Sequence, residues 1–235
     1  MTSPQPVHIT NCLLDRLPPL DCQLLLENSE HIELIFDDVL YQAGELIPHV
    51  YFPTGSFVSL LTPINGSSNL EVGLVGNEGM LGVTLLLDVD IAPFHALVQG
   101  AGTALRIPTT LFVSILKQSS VLQYLLKRYL YVSMKQLAQT AGCTRFHVVE
   151  ERLARWLLMT QDRAHSTSFH VTHVFLAYIL GVRRVGVTKA ANSLQKQKLI
   201  RYRRGDVTIL DRCGLEAASC GCYVADKETY DSFMV

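Results

Sequence analysis

The 235-residue chain is long enough for two small domains, and 49% apolar content lets each bury a core of its own. No apolar run approaches membrane-spanning length, and the start Met1-Thr2-Ser3-Pro4-Gln5-Pro6 has neither a basic lead nor an apolar signal core. A cytoplasmic protein with no membrane association is therefore expected. The net charge of −1 hides an asymmetry: residues 1–115 carry Arg16 and Arg106 against twelve acids, and the remainder carries eighteen basic side chains against nine acids. That split points either to two domains, the second facing a polyanion, or to two solvated surfaces of opposite sign.

Residues 8–30 read as a short helical lead-in, with Leu13, Leu14, Leu17, Leu24 and Leu25 at helical spacing around the break Pro18-Pro19. From 32 to 108 the texture is β. The predicted strands are Ile32–Phe36, Asp38–Tyr41, His49–Phe52, Phe57–Thr62, Leu70–Val75, Phe94–Val98 and Ala104–Ile107, punctuated by glycines. Regular short strands of this kind predict a sandwich or rolled barrel, and Asn65-Gly66 is a hairpin signal.

The segment Gly76-Asn77-Glu78-Gly79-Met80-Leu81-Gly82 is open to two interpretations. It is a tight turn into a short helix, or a ligand-facing loop in which Glu78 and free backbone N–H groups hold a polar effector. The candidate effector pocket is Gly76, Glu78, Gly79, Met80 and His95. A cupin-like metalloenzyme using His49, Glu71, Glu78 and His95 is the rival from another class, but no two of these histidines have close ligand spacing. There is no phosphate loop, nucleophile elbow or dinucleotide fingerprint, so an enzyme is not expected.

Thr109 or Thr110 is a candidate cap for the helical run Leu111–Gln118. Ser119-Ser120 restarts a long helix reaching Gly142. On it Leu122, Leu125, Tyr129 and Val132 follow the alternating three–four spacing of a helix–helix seam, and Leu126, Leu130, Met134 and Leu137 line a second stripe. Two apolar stripes need two partners, here the β-domain and the same helix of a second chain. Gly142–Val148 is a candidate hinge before a helix at Val148–Met159 with Leu153, Trp156 and Leu157 on one face.

Residues 171–200 carry a helix-turn-helix pattern. Thr172 is the candidate N-cap, Phe175, Leu176 and Ile179 form the apolar face, and Leu180-Gly181-Val182 supplies the turn. The second helix, Arg183–Gln197, turns Val187, Ala190, Ala191 and Leu194 inward and Arg183, Arg184, Thr188 and Lys189 outward. An arginine there can donate two hydrogen bonds to guanine. Two strands around Arg204-Gly205-Asp206 make a wing. From 183 to 204 there are eight basic residues and no acid, which favours phosphate contact; Lys196, Arg203 and Arg204 complete the candidate DNA-binding set.

Six cysteines complete the inventory: Cys12, Cys22, Cys143, Cys213, Cys220 and Cys222. Cys220-Gly221-Cys222 lacks the two-residue gap of zinc knuckles, and Cys12 and Cys22 fit no iron–sulfur spacing. Reduced, buried or unused thiols are expected, with no metal.

The segments 176–188 (LAYILGVRRVGVT), 199–205 (LIRYRRG) with Ile209-Leu210-Asp211, 152–158 (RLARWLL) and 75–82 (VGNEGMLG) resemble the Crp/Fnr family of bacterial transcription regulators. The resemblance implies an α+β chain: an N-terminal β-roll of the cyclic-nucleotide-binding type (a double-stranded jelly-roll), a dimerisation helix and a C-terminal winged helix-turn-helix. The expected domains are 1–115, 116–146 and 147–235. It further implies a homodimer on a near-palindromic duplex site, with RNA polymerase as a further partner. Arg184 matches the family's guanine-reading arginine, whereas Val185 stands where many members have glutamate, so the preferred site should differ. Cyclic-nucleotide-binding members hold the phosphate with an Arg-Ser or Arg-Thr pair; this chain has Ile91-Ala92-Pro93-Phe94-His95-Ala96 instead. A buried phosphate without a cation is costly, so weak or no cyclic AMP binding is expected. The N-terminal cysteine cluster of oxygen-sensing members and any haem motif are missing. No cofactor is implied; the effector is another small molecule, a protein, or nothing. An adaptor that docks its winged helix on a protein partner is the remaining alternative.

Overall fold

A computed structural model describes residues 11–64 and 68–235. After a 3-10 turn at Leu14–Arg16, helix α1 (Pro19–Glu27) starts with proline in its first turn, where a missing N–H costs nothing. Seven strands follow: β1 (Glu30–Leu34), β2 (Val39–Tyr41), β3 (His49–Pro53), β4 (Phe57–Ile64), β5 (Ser68–Val75), β6 (His95–Gly100) and β7 (Gly102–Pro108). Each overlaps one predicted run. The Asn65-Gly66 signal lies outside the described residues.

The strands form two antiparallel sheets, ordered β1-β7-β3 and β2-β6-β4-β5. Val50, Phe52, Val58 and Val98 are fully buried, and the inner residues of the roll, among them Leu34, Tyr41, Tyr51, Val58, Val75 and Val98, form one core. This is the rolled β-domain expected from regular short strands with glycine turns, since each sheet must cover one face.

Helices α2 (Thr109–Gln118) and α3 (Ser120–Phe146) then lie across the roll. The expected threonine cap of α2 is not formed. Pro108 occupies that position without a side-chain cap, and the Thr109 hydroxyl donates to the Ile47 carbonyl at 2.6 Å. Ser119 caps α3 instead, accepting from the Leu122 N–H at 3.0 Å. Gly142 does not end α3, which runs one further turn to Phe146.

The last third holds α4 (Val149–Ala164), β8 (Ser168–His170), α5 (His173–Ile179), α6 (Arg184–Lys196), β9 (Ile200–Arg203), β10 (Asp206–Ile209), α7 (Arg212–Ala218) and α8 (Cys222–Met234). Strands β8-β10-β9 make a three-stranded sheet beside the helices. Leu153, Leu157, Leu176, Ile179, Val187, Ala191, Leu194 and Val207 bury together, and Phe57, Leu61 and Leu74 of the roll join the same core. The two halves therefore share apolar packing. No helix among the described residues is long and apolar enough to cross a membrane.

Candidate DNA interface and sensor cavity

Helix α5 begins as the sequence predicts: the Thr172 side chain accepts from the Phe175 N–H at 3.1 Å. The turn then passes through Gly181 at φ 63°, a conformation that costs a β-carbon dearly. Val187, Ala190, Ala191 and Leu194 are buried, which rotates the opposite face of α6 outward. Arg183, Arg184, Val185, Lys189, Asn192 and Lys196 are exposed there. Asn192 carries no charge or motif that singles it out in the sequence. It sits one turn beyond Thr188 and Lys189, and its amide can pair with adenine in the manner an arginine pairs with guanine.

Thr188 is half-buried and engaged inside the motif. Its hydroxyl donates to the Arg184 carbonyl at 3.1 Å and lies 3.1 Å from His173 Nδ1. His173 in turn stacks on Tyr202, with ring centroids 4.5 Å apart. Burial first, then the neighbouring Arg184 charge, holds His173 below its ordinary pKa. Thr188 thus braces the recognition helix against α5 and the wing.

The wing is the β9–β10 hairpin, with Val207 opposite Tyr202 and Asp206 opposite Arg203. Arg204 and Gly205 both take positive φ, 53° and 91°, the signature of a two-residue primed turn. Arg201, Arg203 and Arg204 are exposed on it. The cations of α6 and the wing stand on consecutive elements, with no acidic side chain between 183 and 204.

The candidate effector residues do not converge. The Glu78 carboxylate pairs with Arg163 of α4 at 2.7 Å and accepts from the Gly76 N–H at 3.1 Å; its carbonyl accepts from the Tyr230 hydroxyl at 2.9 Å. Gly79 abuts the Tyr129 ring so closely that a side chain would collide with the phenol. His95 lies on the roll, its Nδ1 accepting from the Ala43 N–H at 3.2 Å, in a cleft shared with Thr172, Phe175 and Tyr178. Of the five, only Met80 lines an apolar cavity formed with α3. The Gly-Glu turn is therefore a strut to the C-terminal half, because a cation four turns into α4 claims its carboxylate. His49, Glu71, Glu78 and His95 have separate partners or surroundings, so the metal arrangement of the cupin-like rival is not assembled.

That cavity, about 250 Å³, lies between the roll and α3. Leu60, Val72, Val75, Met80 and Phe94 form one wall; Leu130, Met134 and Leu137 form the other. Among the described residues its lining carries no Lys, Arg or His. The second predicted stripe of α3 is thus largely a cavity wall.

The first stripe is corrected more sharply. Leu122, Tyr129 and Val132 are 1%, 5% and 1% exposed and pack with Leu126, Phe52 and Phe112 against the roll, with Leu125 beside them. They belong to the chain's own core and are not free to meet a second helix. The outward face of α3 is instead Tyr124, Lys127, Tyr131, Met134, Ala138 and Ala141, every one exposed. These positions also alternate by three and four.

Residues 151–218 match the Crp-like helix-turn-helix domain family. The fold is similar to FixK2 of Bradyrhizobium japonicum, at TM-score 0.69 and 13% identity, covering 82% of this chain and 98% of that one. It is similar also to the c-di-GMP responsive global regulator CLP of Xanthomonas campestris, at TM-score 0.65 and 17% identity over 82% and 99%. A Crp/Fnr-family transcriptional regulator of Thermus thermophilus aligns at TM-score 0.64 and 21% identity over 81% and 98%. No curated protein matches the chain.

Proposed function

Starting from a chain with the Crp/Fnr-type regulator fold and a Crp-like helix-turn-helix domain, we propose that it is a sequence-specific DNA-binding transcription regulator, acting as a cytoplasmic homodimer and not as an enzyme. The exposed cationic face of α6 and the wing supports this most directly: Arg183, Arg184, Lys189, Lys196, Arg203 and Arg204 point away from the core with no acid among them. In this reading Arg183, Arg184, Lys189 and Asn192 read base edges, Thr172 and Lys196 meet flanking phosphate, and Arg203 and Arg204 grip the backbone, which their exposure supports.

The dimer seam is Tyr124, Tyr131, Met134, Ala138 and Ala141 of α3, whose spacing suits a parallel pair of helices and whose alanines permit close approach. Two recognition helices held by such a spine would sit about 34 Å apart, one turn of duplex, on a near-palindromic site. The effector is an apolar or weakly polar small molecule taken up between the roll and α3, and not cyclic AMP, because the cavity offers a phosphate no cation. Met134 belongs to both cavity wall and seam, so occupancy can alter helix pairing directly.

Selection of random duplexes by the purified protein, followed by sequencing, tests the proposal. A two-fold symmetric consensus is the expected result; enrichment of no sequence at low salt overturns it and favours an adaptor that binds protein.

A further inference from the structure

Four side chains with metal-ligating atoms converge where α3, the start of α4 and the α7–α8 turn meet. They are Cys143 in the last turn of α3, His147 at its C-cap, and Cys220 and Cys222 flanking Gly221, the N-cap of α8. Their ligand atoms all lie within 4.8 Å of one another. Cys143 Sγ is 3.5 Å from Cys220 Sγ, and Cys222 Sγ is 3.4 Å from His147 Nδ1. The three cysteines are buried and the histidine is half-buried.

We propose that Cys143, His147, Cys220 and Cys222 form a mononuclear, tetrahedral zinc site.

Geometry and donor type agree on this ion. With Zn–S about 2.3 Å and Zn–N about 2.0–2.1 Å, tetrahedral angles put neighbouring sulfurs about 3.8 Å apart and a sulfur and nitrogen about 3.5 Å apart. The observed 3.5 and 3.4 Å need only small rotamer adjustments. An iron–sulfur cluster binds its thiolates to different irons and spreads them over a wider span. Three sulfurs and one imidazole suit zinc and leave no place for the hard oxygen-seeking ions. Four protein ligands close the coordination sphere, which marks a structural site.

The surroundings fit a bound thiolate set. Gln139 Nε2 donates to Cys222 Sγ at 2.9 Å, an outer hydrogen bond that orients the ligand. Three thiolates and Zn²⁺ sum to −1, and loading releases three thiol protons to solvent with no change of oxidation state. Arg152 can offset that charge. It is buried, donates to the Leu180 carbonyl, and among the described residues makes no ion pair with a carboxylate. Arg155 beside it is already paired with Asp226 at 2.6 Å. Zinc here would fasten the end of the α3 spine to the C-terminal helices, fixing the joint through which α3 and the recognition helix communicate.

The test is a titration of the reduced, full-length, metal-free protein with Co²⁺, whose tetrahedral thiolate complexes absorb in the visible. One equivalent should bind with strong d–d and thiolate charge-transfer bands, and Zn²⁺ should displace it. Cys220→Ser and Cys222→Ser should each weaken Co²⁺ by at least about tenfold, and exposed Cys213→Ser should change nothing. As a check independent of variant folding, Zn²⁺ should protect three thiols of the parent chain from alkylation, located by mass spectrometry at 143, 220 and 222. Absence of tetrahedral bands, bands that survive both serine variants, or protection at other cysteines overturns the proposal. So does a reduced protein that alkylates fully with or without zinc.

Discussion

The indole N–H of Trp156 donates to the carboxylate of Glu71 over 2.9 Å, joining the helix that leads into the DNA reader to strand β5 of the roll. The Ser59 hydroxyl donates to the other carboxylate oxygen at 2.6 Å. Together with the Glu78–Arg163 pair and the contact between Asn69 and the Tyr178 hydroxyl, it makes the two halves one mechanical unit.

Burial pushes the Glu71 carboxyl up to about 7, against the opposing pull of its two hydrogen bonds and of Arg163 and Arg155. An acid with a raised native pKa costs nothing below its unfolded value near 4.5. As pH climbs from there to about 7 the unfolded chain ionises first, so stability falls, by on the order of 3 kcal/mol in total. Glu71→Gln keeps an acceptor for the indole and removes the ionisation. Its melting temperature should match the parent near pH 4 and exceed it by several degrees at pH 8. Thermal melts across this range check the point; parallel curves for the two proteins would count against it.

Arg184 is exposed at the first turn of α6, where the proposed duplex would bring base edges within reach. Arg184→Ala should relax preference at one base pair per half-site, at a cost of about 1–3 kcal/mol. Selection and sequencing with the variant reads this directly. An unchanged consensus would remove Arg184 from base reading.

Arg204 stands at the tip of the wing, where the proposed interface puts phosphate. Arg204→Ala should weaken all duplexes alike and reduce the slope of log K against log salt by about 1 per protomer. Fluorescence anisotropy at several salt concentrations measures it. A loss confined to one sequence would reassign this residue to base contact.

On α3 the two faces should respond oppositely. Tyr131→Glu with Met134→Glu places charge on an exposed seam, 43% and 61% accessible in the single chain, and should yield a folded monomer with greatly weakened DNA binding. Leu122→Ala empties part of the chain's own core and should cost about 2–5 kcal/mol of stability with the oligomer retained. Sedimentation and thermal melting distinguish the outcomes; a dimeric glutamate variant would move the seam elsewhere.

Cyclic AMP should leave the melting temperature unchanged at millimolar concentration. A ligand present at a hundred times its Kd would add about 2.7 kcal/mol, visible as a clear upward shift. Such a shift would mean that the phosphate finds a counter-charge outside the apolar lining of the cavity.

Much of the fold is written in short-range patterns. The short β-rich runs of 32–108, punctuated by glycines, mark seven strands, and the N-cap Thr172, the turn glycine 181 and the apolar set Val187, Ala190, Ala191 and Leu194 mark the helix-turn-helix. All of these depend on backbone periodicity and capping within a few residues, which any chain carries in its own order. Asn192 and the true outward stripe of α3 were harder to see. Helical spacing shows that several faces exist but not which neighbour each one meets.

Local order along the chain is enough to specify the seven strands of the roll, the long helix α3, the helix-turn-helix with its wing, the separation of acidic and basic halves, and the side of α6 that faces away from the core, but not β8, α7 or α8. Long-range packing alone brings Leu122, Tyr129 and Val132 of α3 against the roll, commits Glu78 to Arg163, and joins Cys143 and His147 to Cys220 and Cys222 across more than seventy residues of chain. The physical reason is range. Periodicity and capping act through covalent neighbours, whereas partner choice follows from where burial carries each face once the whole chain is packed.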